Sequence, residues 1–318
     1  MTEKFDVWFR NKFVREGICR AIYDRMEADD GVYLIGEGAH MKVHFDAPYI
    51  ETRFPNKVLT LPISEDGNSN FAVGMALAGL KPINDVIVSD FLYRTMDSIC
   101  NTAVKTNYVH KKDPMTMVFR SEFLVGGPTN GQRPESLFAH IPGLNVIIPS
   151  TPNDAYGLML SALTQPGISI FFEDRMIKDE ELTQLDEKKP VQIGKAAIIR
   201  RGDKLTVVSY GLTMQRAIKA LKAVDAELVD IRGVSPIDYQ TIIESVKRTG
   251  KLLVVEPDVR IGGIGGEIIA TVQSQVSERL HTSILGSPYT VIPASSYLNR
   301  QLIPSEEVIA HTAQTMVR

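Results

Sequence analysis

Glu65 closes the run Leu61-Pro62-Ile63-Ser64-Glu65, just after the apolar Val58-Leu59-Thr60 and just before a small-residue stretch beginning near Phe71. The pattern sets a carboxylate at the C-terminal end of an expected strand, where open α/β sheets hold their ligands. On residue type alone, a Glu there reads first as a first-turn acid favoured by the dipole of the helix that follows. Glu37, in Leu34-Ile35-Gly36-Glu37-Gly38, ends an earlier strand and by itself reads as a solvated loop acid. Phe91 offers a flat apolar face for stacking, or plain core packing. Arg94 could hold an anionic group bidentately, or stand solvated at a helix start. Asn130, in Gly127-Pro128-Thr129-Asn130-Gly131-Gln132, can hydrogen-bond a carboxylate or carbonyl but cannot carry a proton near neutral pH. Position gives His110 and His140 no role, and His140 heads a proline-containing turn that reads as structural.

These groups need a frame. Short apolar runs at Val32-Ile35, Val58-Leu61, Ile83-Val88, Thr116-Arg120, Asn145-Pro149 and Ile168-Phe172 read as strands. Helical spacing separates them, as in Val14, Ile18, Ala21, Ile22 and in Leu92, Met96, Ile99, Ala103. Continuous apolar strands alternating with helices predict an α/β fold with a doubly wound, mostly parallel sheet. Residues 177–192 are charged and end near Pro190, which reads as a linker between a domain at 1–176 and a smaller α/β domain at 193–318. In the latter, strands are expected at Ala197-Arg200, Leu205-Tyr210, Leu228-Ile231 and Leu252-Glu256, with a helix carrying Met214, Ala217, Ile218 and Leu221. Gly202-Asp203 reads as a hairpin or loop. The glycines between Gly262 and Gly266 read as a strand-to-helix loop, and they do not complete a Gly-x-Gly-x-x-Gly fingerprint.

The chain of 318 residues is long enough for two domains, and its net charge of -3 gives no reason to expect nucleic acid or an anionic membrane surface as partner. Cys19 and Cys100 suggest neither a disulfide framework nor a zinc site. With no apolar leader and no run near the ~20 residues of a membrane span, a cytoplasmic location is expected.

Pro62-Ile63-Ser64-Glu65, Gly74-Met75-Ala76-Leu77-Ala78-Gly79-Leu80-Lys81-Pro82 and Ser89-Asp90-Phe91 together resemble the beta subunit of the thiamine diphosphate-dependent decarboxylase component of 2-oxo acid dehydrogenases. The likeness continues through Met117-Val118-Phe119-Arg120, His140-Ile141-Pro142-Gly143-Leu144, the run from Pro149 to Leu158, Asp230-Ile231-Arg232-Gly233-Val234-Ser235-Pro236-Ile237-Asp238 and Leu253-Val254-Val255-Glu256. It implies a transketolase-like pyrimidine-binding domain followed by a transketolase C-terminal-type domain that mainly serves assembly. It also implies that Glu65 holds the cofactor's aminopyrimidine in its reactive tautomer, with Ile63 and Phe91 against the ring and Glu37 in the family's Gly-Glu position. Arg94 stands where the family often has an uncharged polar residue.

Asn130 and Tyr93-Arg94 depart from the family. Asn130 stands where the family carries a catalytic histidine, so the step that this histidine serves needs another proton donor or another acceptor. This chain has no Gly-Asp-Gly magnesium motif, and in the resembled family the partner chain supplies that half of the site, so Mg2+ and the diphosphate are expected on an alpha-type partner in an α2β2 assembly. The leading expectation is a beta-type subunit that decarboxylates a 2-oxo acid such as pyruvate and passes the acyl unit to a lipoyl-domain transferase. A two-subunit carboligase or transketolase-like transferase, with a carbonyl or ketose substrate, is the alternative that Asn130 favours. A non-catalytic paralogous assembly subunit is a third.

Overall fold

The computed structural model describes residues 14–37, 39, 47–110, 112–124, 127–177 and 185–318, with backbone alone for 47–49. Gly38 and His40, and 178–184 of the expected linker, lie outside the described residues. The chain divides into two units. One comprises residues 1–124 and 138–193; the other comprises 125–137 and 194–318. Of the described residues, 127–137, which the sequence pattern leaves inside the first domain, therefore belong to the second unit.

In the first unit the strands are β1 (Val32–Gly36), β2 (Val58–Thr60), β3 (Lys81–Val88), β4 (Thr116–Phe123), β5 (Leu144–Ile147) and β6 (Gly167–Asp174). They run side by side in the order β5-β6-β4-β3-β1-β2, every pair parallel. All of β4, and β3 and β6 beyond their first residue, are buried, as strands covered on both faces must be. The order turns back on itself between β1 and β3, so the C-terminal ends of β1, β2 and β3 border one crevice.

Helices start where capping chemistry allows. Thr151 Oγ1 accepts the Asp154 N–H (3.1 Å) and Pro152 fills a position that needs no donor, opening Pro152–Thr164. What remains of the charged linker lies back on this helix, with Val191 N–H donating to the Gly157 carbonyl (3.0 Å).

The stretch with Leu92, Met96, Ile99 and Ala103 differs from the expected single α-helix. It is a 3₁₀ turn at Ser89–Thr95, then, after Met96 and Asp97, a π-helical turn at Ser98–Ala103 that leads into the α-helix Val104–Val109. Leu92, Ile99 and Ala103 are fully buried, so the apolar stripe that suggested a helix holds. The winding loosens where Ser98, next to Ile99, turns its hydroxyl to Asp66 Oδ1 (2.5 Å) on a neighbouring helix.

In the second unit, β7 (Ala197–Arg200), β8 (Thr206–Ser209), β9 (Glu227–Asp230), β11 (Lys251–Val259) and β12 (His281–Ser287) form a sheet in the order β12-β11-β8-β9-β7. A short β10 (Gly233–Ser235) lies between β9 and β11 in sequence. Only β7, at the edge, runs antiparallel. Gly202-Asp203 is a loop and not a hairpin, because β7 and β8 are not neighbours. Val207, Leu228, Leu253 and Val255 fill the core on one face of this sheet, and Ile309 and Ala313 of the last helix, Glu306–Val317, belong to the same buried cluster.

Candidate functional site

The site begins where β2 ends. Leu61 N–H donates to the Gly36 carbonyl (3.1 Å), carrying the chain beyond β2 into Pro62-Ile63-Ser64. The helix Glu65–Leu77 starts without a side-chain cap from Ser64. Its entry is fixed from another strand: Glu37, just after β1, accepts the Ser64 N–H on Oε1 (2.8 Å). Asn68 Nδ2 donates back to the Pro62 carbonyl (3.0 Å) and closes the turn. The helix is also pinned to β3, where Asn84 Nδ2 donates to Ser69 Oγ (2.9 Å) and Ser69 Oγ to the Glu65 carbonyl (2.6 Å).

Glu65 is thereby held at a helix start, its side chain 12% exposed, with Oε2 3.3 Å from Arg94 Nε. The Arg94 side chain is 72% exposed. Such a pair contributes about 0–1 kcal/mol, so a ligand group competes for the carboxylate on easy terms. Ile63 is 82% exposed, an apolar surface left uncovered two residues from a shielded carboxyl. Phe91 is half-buried, in the same 3₁₀ turn as Arg94. An apolar face next to a shielded acid suits a flat nitrogen heterocycle, so these residues fit the pyrimidine half of the expected cofactor. Among the described residues no group of three or more His, Cys, Asp or Glu could hold a metal ion.

Burial raises the Glu37 carboxyl above the usual carboxylate range; the Ser64 N–H opposes this, and the charges of Glu65 and Asp85 add to it. Glu37 can sit there because Gly36 (φ +147) lets the backbones of β1 and β3 close up: a Cβ at Gly36 would lie 2.4 Å from the Asp85 carbonyl oxygen. β3 itself ends irregularly. Its register with β4 shifts between Asp85 and Val88, and Ile87 has φ +61, a backbone state costing a β-branched residue roughly 1–3 kcal/mol. Bulges of this kind re-aim the chain beyond them, here the turn carrying Phe91 and Arg94.

Beneath the site lies a buried ionic network that the strand pattern did not disclose. Arg120 on β4 is fully buried and pairs with Asp85 on β3 (2.8 Å), Glu122 (2.5 Å) and Glu173 on β6. Arg15 reaches Glu122 (3.0 Å) and Glu173 (2.9 Å), and Arg175 reaches Glu122 (2.9 Å). Three guanidinium groups thus face three carboxyls. Burial lifts Glu122 to about 7 against the pull of Arg120. Glu173 stays below its ordinary value, since Arg120 and Arg15 outweigh its burial. The signal available in the sequence is charge in or next to apolar runs, at Asp85, Arg120, Glu122 and Glu173; the structure adds that Asp85 lies opposite Arg120 and Glu122 opposite Glu173.

Glu65, Glu37 and Arg94 are brought together in the first unit. Asn130, half-buried, belongs to the second unit. His110 ends the helix Val104–Val109, and both it and His140 are exposed.

The second unit has its own buried acids. Glu256 on β11 is fully buried and accepts the Gly265 N–H on Oε2 (2.9 Å), at the start of the helix Ile264–Ser274. A Cβ on Gly263 would lie 2.7 Å from Glu256 Oε1, so the expected strand-to-helix glycines serve close packing around this carboxyl. Burial, opposed by the Gly265 N–H, raises Glu256 from 4.5 to about 7. A carboxyl raised in the folded state favours folding while it keeps its proton. Its contribution is therefore full below the usual carboxylate range and is lost as pH climbs toward about 7. The chain should lose about 3 kcal/mol through this group between pH 4.5 and 7.5. Urea melts at a series of pH values check it: Glu256→Gln should flatten that part of the profile.

Residues 13–178 match the family described as Transketolase, pyrimidine binding domain, and residues 194–309 match Transketolase, C-terminal domain. The chain is similar to the pyruvate dehydrogenase E1 component subunit beta of Rickettsia bellii, 30% identical over 92% of this chain and 94% of that one. It is likewise 31% identical to the acetoin:2,6-dichlorophenolindophenol oxidoreductase subunit beta of Cupriavidus necator, over 97% of this chain and 98% of that one. Among solved structures, a split gene transketolase, described as an inactive beta4 tetramer, superposes with a TM-score of 0.80 over 96% of this chain and 98% of that one. At 17% identity that likeness concerns the fold alone.

Proposed function

This chain belongs to the family of pyruvate dehydrogenase E1 beta subunits, built from transketolase pyrimidine-binding and C-terminal domains, and from that premise we propose that it is the beta-type half of a two-chain thiamine diphosphate enzyme. The reaction is the decarboxylation of a 2-oxo acid such as pyruvate, with transfer of the acyl unit. The observation that carries the reading is Glu65: a 12% exposed carboxyl, fixed at a helix start beside an 82% exposed isoleucine.

When bound, thiamine diphosphate supplies the carbanion chemistry at C2. Glu65 holds a proton at the ring nitrogen, and its shielding from water keeps that proton between carboxyl and ring. Ile63 and Phe91 give the ring its apolar contacts. Glu37 fixes the Ser64 N–H, and so the angle at which Glu65 leaves the turn. Arg94 gives up Glu65 and takes the carboxylate of the 2-oxo acid, a fork suited to that group. Asn130 hydrogen-bonds a substrate or acceptor carbonyl. The sequence has no Gly-Asp-Gly, so Mg2+ and the diphosphate fall to an alpha-type partner in an α2β2 assembly.

Calorimetry with thiamine diphosphate and Mg2+ tests the shared site. The chain mixed with its cognate alpha-type subunit should bind the cofactor, and neither chain alone should bind it tightly. Tight binding by this chain alone would refute the division. Silence from the assembled pair would make it a non-catalytic assembly subunit.

Asn130 supports a second reading, a carboligase or transketolase-like transferase with a carbonyl acceptor and no lipoyl partner, since an amide cannot shuttle the proton that acyl transfer to a lipoyl group requires. Turnover of pyruvate with lipoamide, set against pyruvate with acetaldehyde, separates the two.

A further inference from the structure

Asn130 sits in a turn that the second unit builds. Its N–H donates to the Gly127 carbonyl (3.3 Å) and closes residues 127–130. Gly127 has φ +82, and a Cβ there would lie 3.0 Å from the Ala294 Cα. A Cβ on Gly131 would meet Gly127 O at 3.0 Å, Ile292 Cγ2 at 3.2 Å and Asn299 Nδ2 at 3.3 Å. The turn is therefore seated closely on the segment 292–299, with glycine required at Gly127 by both its dihedral and its neighbours.

Further along, the same segment is tied to the sheet of the second unit. Ser136 Oγ donates to Asp258 Oδ2 on β11 (2.6 Å). The Tyr210 hydroxyl, just after β8, donates to Glu135 Oε1 at a long 3.4 Å, and Arg133 Nε lies 3.6 Å from the same oxygen. Glu135, Asp258 and Tyr210 are all buried. At 2.6 Å the Ser136–Asp258 bond is the strong one, a hydroxyl on a buried carboxylate, and the longer Tyr210–Glu135 contact is weaker.

We infer that Ser136, Glu135, Tyr210 and Asp258 form a clamp by which the second unit positions Asn130 and so sets the affinity for the carbonyl acceptor. The inference rests on the reading of Asn130 given above. The charged groups facing Tyr210 are Glu135, Glu256 and Asp258, opposed by Arg133, and Arg260 faces Glu256. Burial raises Asp258 against the hydrogen bonds from Ser136 and Val259, and raises Glu256 likewise.

Ser136→Ala, Tyr210→Phe and Asp258→Ala, each assembled with the alpha-type subunit, test it by hydrogen exchange and by steady-state kinetics with pyruvate and acetaldehyde. Amides of 127–137 should exchange roughly tenfold faster while those of Glu65–Leu77 do not change. KM for acetaldehyde should rise severalfold, and Asp258→Asn, which keeps an acceptor for Ser136, should restore both. Unchanged exchange at 127–137 in all three variants would overturn the clamp. Faster exchange without a change in KM would overturn its positioning role. In that case Asn130→Ala separates the causes: a raised KM there leaves the reading of Asn130 standing, and an unchanged KM removes it.

Discussion

Glu65→Gln in the assembled enzyme should lower the cofactor-dependent rate by about 10²–10⁴-fold, the usual cost of losing a positioned acid/base. Glutamine keeps the length of the side chain and can hydrogen-bond the ring, but it cannot share a proton with the ring nitrogen. The direct measurement is exchange of the cofactor's C2 proton for deuterium, read by NMR after an acid quench. An exchange rate equal to the parent's would refute the assignment of Glu65. Stability separates this role from an ordinary first-turn acid. Glu65 opens its helix and touches one exposed arginine, so glutamine should cost only ~0.3–1 kcal/mol of folding free energy through the helix dipole. A large loss of rate with a small shift in the urea midpoint is the expected signature.

The opposite signature is expected at Arg120. Arg120→Ala leaves Asp85, Glu122 and Glu173 buried without the guanidinium that all three contact. Removing one partner from a buried ion pair costs about 3–5 kcal/mol, a large share of the ~5–15 kcal/mol that holds a typical domain. Arg15 and Arg175 approach the cluster from its edge and leave Asp85 uncompensated. The variant should be recovered mainly as insoluble protein, or melt many degrees lower, with helix 65–77 losing its β3 anchor in the same transition. Lower pH should partly rescue it, because Glu122, raised to about 7 by burial, takes up its proton first. Arg120→Met combined with Glu173→Gln and Asp85→Asn should recover much of the loss, since neutral groups of similar shape tolerate burial better than orphaned charges. A melting profile of Arg120→Ala indistinguishable from the parent's would contradict the network.

Much of the frame was legible because it depends on local periodicity. Val32–Ile35, Val58–Leu61, Ile83–Val88, Ala197–Arg200 and Leu252–Glu256 are apolar runs bounded by turn residues, and each coincides with an observed strand to within a few residues. Glu65 was legible as the end of a strand-to-helix turn for the same reason. Local periodicity identifies an element and not its partner. It could not show that Glu37 reaches the Ser64 N–H, 27 residues away, or that Ser136 reaches Asp258 across 122. Nor could it show that Arg120 is neutralised by three carboxyls, because only Glu122 lies near it in sequence, while Asp85 and Glu173 stand on other strands. The winding of Ser89–Ala103 was missed because 3₁₀ and π turns keep nearly the same inward stripe as an α-helix. Register is likewise invisible: nothing near Ile87 announces a bulge in β3.

The path of the main chain, which leaves the first unit at residue 124 and returns at 138, bears on how such proteins can be recombined. A chimera joined at the charged linker would take residues 194–318 from one relative and keep 125–137 from another. It would pair the Asp258 and Tyr210 of one parent with the Ser136 and Glu135 of the other. The seam that looks natural in sequence therefore cuts across a fitted joint, and exchangeable modules of this chain must carry the stretch 125–137 along with the C-terminal half.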